Sequence, residues 1–141
     1  FEEGDKIIGK TLWASFTHTS HEKLDKNFWS KNSFTTGIDN IVTNIKSISK
    51  MAELVDSEFY IIVFPWAETL EYGEEHFSWQ NFASELCLVS NCTKLINAFP
   101  EFIKFKSQFT YWKKEIYFLQ DIHLNPKGNR LLAEIIYNES F

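Results

Sequence analysis

From Gly37 the apolar positions fall at three- and four-residue steps: Ile38, Ile41, Val42, Ile45, Ile48, Met51, Ala52 and Val55. That spacing is one face of an amphipathic helix. Thr35 or Thr36 can cap its start, and Asp56-Ser57 ends it. The period then disappears. Phe59-Tyr60-Ile61-Ile62-Val63-Phe64 is continuous, short and partly β-branched, as a strand buried on both faces should be, and Pro65 stops it. A helix followed by a buried strand is half of a βαβ unit. It predicts an α/β fold with a parallel sheet flanked by helices.

Residues 67–75 read as an acidic loop. Residues 77–88 read as a second helix, with Ser78 near its cap. Lys94 to Phe99 is a shorter strand candidate stopped by Pro100. Residues 101–112 are expected to be helical, with Phe102, Phe105 and Phe109 on one face, and residues 116–119 briefly extended. The last element is a helix. Asn125 can cap it, Pro126 suits its first position, and Leu131, Leu132, Ile135 and Ile136 form its apolar stripe.

Residues 1–36 lack this order. They are rich in Thr, Ser, Lys and Asn, with Trp13, Phe16, Phe28 and Trp29 scattered among them, and read as an irregular segment pinned by aromatic rings. The chain thus divides into 1–36 and 37–141. Its single methionine is Met51, which fits a processed product or a piece cut from a longer protein.

Composition narrows the function classes. With 141 residues the chain is long enough for one domain and one core. The hydrophobic fraction of 44% and charged fraction of 23% are those of a globular protein. A net charge of −5 and the lack of a Lys/Arg stripe argue against nucleic acid as a partner. No apolar run approaches the roughly 20 residues of a membrane-spanning helix, and no signal-peptide pattern opens the chain. Cys87 and Cys92 are close enough in sequence to bridge across a turn. They could equally be two buried thiols. His18 and His21 lack a third ligand, so a polar loop accounts for them. Glu68, Glu71, Glu74, Glu75 and His76 read as a solvated acidic stretch, so no metal site is expected.

The chemistry-bearing pair is Asp121 and His123, placed between a short extended piece and a capped helix. Loops at strand ends of α/β folds collect catalytic groups. A carboxylate beside an imidazole can accept from one ring nitrogen and fix the tautomer. It also stabilises the imidazolium formed when the other nitrogen takes a proton. His123 is therefore a candidate general base for an alcohol nucleophile, with Asp121 as its orienting partner.

The block Phe118-Leu119-Gln120-Asp121-Ile122-His123-Leu124-Asn125-Pro126-Lys127-Gly128 resembles the closing block of SGNH/GDSL-type hydrolases. There an Asp and a His precede a capped helix that carries a Gly. The commonest form has two residues between Asp and His. The single residue here resembles the variant of bacterial SGNH-like proteins that add or remove acyl groups on polysaccharides. Tyr60-Ile61-Ile62-Val63-Phe64-Pro65-Trp66 resembles a strand of such domains that ends in Pro-Trp, and Trp79 and Asn97-Ala98-Phe99-Pro100 follow in the same order.

The resemblance covers residues 37–137. It implies a three-layer, flavodoxin-like α/β domain without a cofactor, acting on an O-acyl ester or acylated carbohydrate in an extracytoplasmic, periplasmic setting. It makes His123 and Asp121 catalytic. Trp66, at the end of a strand, is a candidate substrate-binding residue that could stack on a sugar ring or equally be a core tryptophan, and Asn125 is a second candidate. The family's Gly-Asp-Ser nucleophile motif is absent, since Gly4-Asp5 is followed by Lys6. The nearest match to its oxyanion block, Gly37-Ile38-Asp39-Asn40, has its polar pair inverted and opens a helix. The expectation is therefore the C-terminal part of such a domain, with the serine upstream of this chain. The rival expectation is a non-catalytic α/β module that binds a glycan or a protein.

Overall fold

The computed structural model describes residues 31–74, 77–119 and 121–140. Most of the irregular segment, including His18 and His21, lies outside the described residues, as do Glu75, His76 and Gln120. Eight elements follow in order. Helix α1 is Lys31–Leu54, β1 is Tyr60–Val63, α2 is Ala67–Tyr72 and α3 is Trp79–Ser90. Then come β2 at Lys94–Asn97, α4 at Phe99–Gln108, α5 at Trp112–Ile116 and α6 at Pro126–Ser140.

The fold is mixed helix and strand. Among the described residues its sheet has two strands, β1 and β2, which run parallel with Ile61 opposite Leu95 and Ile62 opposite Ile96. This agrees with the parallel α/β reading, but two strands fall short of a complete three-layer domain.

Strand alternation sends the side chains to two faces. Ile61, Val63 and Leu95 pack with Ala83 and Leu86 of α3 and with Val42 and Ile45 of α1. Tyr60 and Ile96 join the larger cluster on the other face, with Phe102 of α4, Ile116 of α5, and Leu131 and Ile135 of α6. Phe102, Ile116, Tyr117 and Ile96 are its most deeply buried large residues.

Several sequence expectations shift for local reasons. Helix α1 starts at Lys31, ahead of Thr35 and Thr36. It buries a single stripe, so Ile38, Val42, Ile45 and Ala52 are half-buried while Ile41, Ile48, Met51 and Val55 are exposed. The helix ends as expected. Asp56 takes a left-handed φ of 51° and Ser57 donates to the carbonyl of Ala52, a closure that Asp tolerates. Residues 67–72 of the expected acidic loop form α2. There Glu68 and Glu71 both pair with Lys113 of α5, at 3.2 and 3.0 Å.

Ser78 caps α3 by accepting from the Asn81 amide. Pro100 sits in the first turn of α4, where its missing N–H has no helical partner to lose. The expected helix over 101–112 splits into α4 and α5, and Phe109 falls in the junction. Ile116 ends α5, so the extended piece reduces to a single antiparallel bridge between Tyr117 and Leu124. The run from Phe59 to Phe64 is not covered on both faces: Ile62 of β1 and Phe64 just past it are 40% and 37% exposed.

Cys87 and Cys92 form a disulfide across the turn that closes α3. Asn91 supplies that turn with a φ of 53°, and Cys92 N–H donates to the Cys87 carbonyl.

Candidate active site

The Asp121–His123 pair is held in a short loop that the chain ties at its base. The Tyr117–Leu124 bridge closes the loop, and Phe118 N–H donates to the His123 carbonyl at 3.1 Å. Below it Asn125 N–H donates to the Ile116 carbonyl at 3.0 Å. The Tyr117 phenol, buried, donates to the Pro65 carbonyl at 2.7 Å. Burial and the nearby Glu68 carboxylate push that phenol's pKa upward, so it stays protonated and remains a donor.

Asn125 explains why the loop stops where it does. Its Oδ1 accepts from the amides of Lys127 and Gly128, at 2.9 and 3.0 Å, which caps the first turn of α6. Its Nδ2 donates to the carbonyls of Lys114, Glu115 and Tyr117, at 3.3, 2.9 and 3.3 Å. Both polar atoms of this side chain are thus committed to backbone, and its part in the site is positional.

Gly128 follows one turn later. A Cβ there would lie 2.1 Å from the Ile116 carbonyl oxygen and 3.0 Å from Leu124 Cδ2. Only glycine lets α6 approach the end of α5 this closely.

The loop lies at the carboxyl end of the sheet. Lys94, at the amino end of β2, contacts Glu139 near the end of α6, so α6 runs antiparallel to β2. Its first residues, and the loop before them, therefore sit at the level where the strands end. The Tyr117–Pro65 bond fixes the same placement, since Pro65 follows β1. In open parallel sheets ligands bind at this end.

The pair itself has the geometry the sequence suggested. His123 Nδ1 lies 2.6 Å from Asp121 Oδ1, and the same oxygen accepts from the His123 backbone amide at 3.2 Å. The Asp121 N–H donates to the Phe118 carbonyl at 3.3 Å. The imidazole beside Asp121 holds its carboxyl below the usual carboxylate range. The slight desolvation of the group works the other way, and the His123 and Ile122 amides reinforce the lowering. An ionised Asp121 facing Nδ1 selects the tautomer with Nδ1–H. That leaves Nε2 with the lone pair a general base requires. The His123 side chain is 73% exposed and that of Asp121 is 43% exposed. The pair is therefore an open one, with Nε2 accessible.

Trp66 immediately precedes α2, just past the end of β1, and is half-buried, with its ring centroid 6.2 Å from that of Trp79. Trp79 also meets Phe77 edge-on at 4.7 Å. Sequence reasoning did not assign the polar chain beside these rings. Asn97, at the carboxyl end of β2, donates to Gln80 Oε1 at 2.8 Å. Gln80 Nε2 in turn donates to Glu74 Oε2 at 2.7 Å. Glu74 also accepts from the Trp79 amide at 2.7 Å and so anchors the start of α3. The Asn97-Ala98-Phe99-Pro100 string was the available signal, and it marked a strand end without revealing a partner. Among the described residues no group of His, Cys, Asp and Glu is arranged to hold a metal ion, and no helix is long and apolar enough to cross a membrane.

No family model, curated protein or solved structure matches this chain.

Proposed function

We propose that the chain is the C-terminal part of an SGNH-like, three-layer ester hydrolase or O-acyl transferase. In this reading it supplies the His and Asp of a Ser-His-Asp triad. The observation that carries the reading is the 2.6 Å contact between His123 Nδ1 and Asp121 Oδ1, in a loop fastened at the carboxyl end of a parallel sheet. His123 Nε2 takes the proton of a serine hydroxyl as that oxygen attacks the acyl carbon. It then returns the proton to the leaving alcohol. Asp121 holds the tautomer and stabilises the imidazolium. The serine is assigned to polypeptide upstream of Phe1, because no Gly-Asp-Ser occurs in these residues. The substrate class is an O-acyl ester, an acylated carbohydrate in the form nearest to the resemblance, with Trp66 as the candidate stacking surface.

The openness of the pair favours one alternative. A His 73% exposed is also what a degenerate, non-catalytic glycan- or protein-binding module would keep. Turnover of an aryl acetate by the polypeptide extended through its upstream sequence separates the two. The hydrolase reading expects activity that falls by about 10²–10⁴-fold in His123→Ala. Absence of turnover in the extended wild type, or equal turnover in the variant, contradicts it.

A further inference from the structure

The turn between α3 and β2 carries a motif that the chemistry at His123 does not use. Asn91-Cys92-Thr93 is an Asn-x-Thr sequon, the acceptor pattern for N-linked glycans on surface loops of secreted proteins. Its central residue, Cys92, is bonded to Cys87. Disulfides form and persist in oxidising compartments, the secretory lumen among them. The motif and the bond therefore point to the same setting. The turn also presents the acceptor. Asn91 closes α3 in a left-handed conformation and so stands in neither helix nor strand. Asn91 and Thr93 are both exposed, and the Asn91 carboxamide bonds to no described residue.

The surroundings of Asn91 suit a carbohydrate. With Thr93 it lines an open cleft of about 270 Å³, shared with Ser49, Glu53, Asp56 and Ser57 between the ends of α1 and α3. The carboxylates and hydroxyls there can accept from the hydroxyls of a sugar. Leu54, Val55, Leu88 and Val89 stand exposed at the same two helix ends. Apolar side chains so placed are what a bulky, solubilising glycan would cover. The turn precedes β2 and lies at the amino end of the sheet, so a glycan there leaves the His123 loop open at the other end. The chain's second sequon, Asn138-Glu139-Ser140, differs. It lies inside α6, where side chains two residues apart point to different faces. Asn138 is exposed and Ser140 half-buried, so the two groups are not presented together.

We propose that Asn91 is an N-glycosylation site. The donor class is an oligosaccharide carried on a polyprenyl diphosphate. Asn91 Nδ2 attacks the anomeric carbon of the first sugar. The N–C bond forms as the C–O bond to the diphosphate breaks. The lipid diphosphate leaves with that electron pair, and one Nδ2 proton is lost to solvent. The first sugar then sits over the cleft beside Glu53 and Asp56. The inference uses neither His123 nor Asp121 and stands whether or not the site hydrolyses esters.

Peptide mapping by mass spectrometry of the protein isolated from its native source tests it. The peptide holding Asn91 should carry a hexosamine-containing mass. An amidase that releases N-linked glycans should remove that mass and leave Asp in place of Asn91. Asn91→Gln and Thr93→Ala, expressed in the same cells, should both lose the glycan. Thr93→Ser should keep it, and should also keep the hydroxyl that accepts from the Phe59 amide at 3.0 Å. An unmodified Asn91 in the native protein would overturn the inference. So would a glycan found on Asn138 alone, or one retained on Asn91 in Thr93→Ala. A hydrolase assay on the same samples reads the ester chemistry separately, so the two claims can fail independently.

Discussion

The hydroxyl of Tyr117 donates to the carbonyl of Pro65 across 2.7 Å, joining the base of the Asp121–His123 loop to the residue that ends β1. Both groups are buried, so neither can turn to water if the other is lost. Tyr117→Phe should lower stability by about 1–3 kcal/mol, the range for a buried acceptor left without its donor. Urea denaturation of the two proteins measures this. An unchanged midpoint would mean the bond does not hold the loop.

Gly128→Ala should be worse. The added Cβ would meet the Ile116 carbonyl at 2.1 Å, and a backbone oxygen cannot rotate out of the way as a side chain can. Helix α6 must shift from α5, at a cost of about 1–3 kcal/mol or more. Because the loop lies between those helices, the chemical shifts of His123 should move with the melting temperature.

The two halves of the Asn125 side chain can be separated by substitution. Asn125→Asp keeps an acceptor for the Lys127 and Gly128 amides but cannot donate to the carbonyls of Lys114, Glu115 and Tyr117. Asn125→Ala loses both. The Asp variant should retain the start of α6 while loosening the loop, and the Ala variant should lose about a further 1 kcal/mol from the missing cap. Thermal melts with helix content followed by circular dichroism distinguish them.

The Asp121 carboxyl should titrate below its ordinary value of 3.8, because the His123 side chain and two backbone amides favour its ionised form. The sign follows from linkage. A carboxyl depressed in the folded state contributes stability above its unfolded pKa, and loses that contribution as pH falls through the folded value. The loop should therefore hold at neutral pH and loosen only in acid below about 3.8. Carbon chemical shifts of Asp121 against pH give the value directly. In His123→Ala they should move back toward the ordinary one.

What the sequence disclosed depended on how local each cause was. Asn125 and Pro126 announce α6 because a cap and a first-turn proline act within four residues. Ser78 does the same for α3. The apolar spacing along α1 gave its period but not its buried stripe, which is chosen by the few side chains of α3 and β1 that meet it. The run from Phe59 to Phe64 reads as covered on both faces. Coverage, however, depends on neighbours that the run itself does not encode, and Ile62 is exposed. Residues 67–72 look like loop by charge alone, because the Lys113 that pairs with Glu68 and Glu71 is far along the chain.

The site divides the same way. Asp121 and His123 were legible as a pair because a single residue separates them and the carboxylate reaches its near neighbour's ring. Tyr117–Pro65, Gly128–Ile116 and Gln80–Asn97 were not, since each joins segments that approach only after folding.

The role proposed for His123 is that of the base that activates a serine. Fluorophosphonate labelling of the polypeptide extended through its upstream sequence tests it most directly, because the probe reports an activated serine whatever the natural substrate is. In that role, labelling is expected in the wild type, with a smaller loss in Asp121→Asn and near-complete loss in His123→Ala with the fold intact by circular dichroism. Equal labelling of wild type and His123→Ala would contradict it.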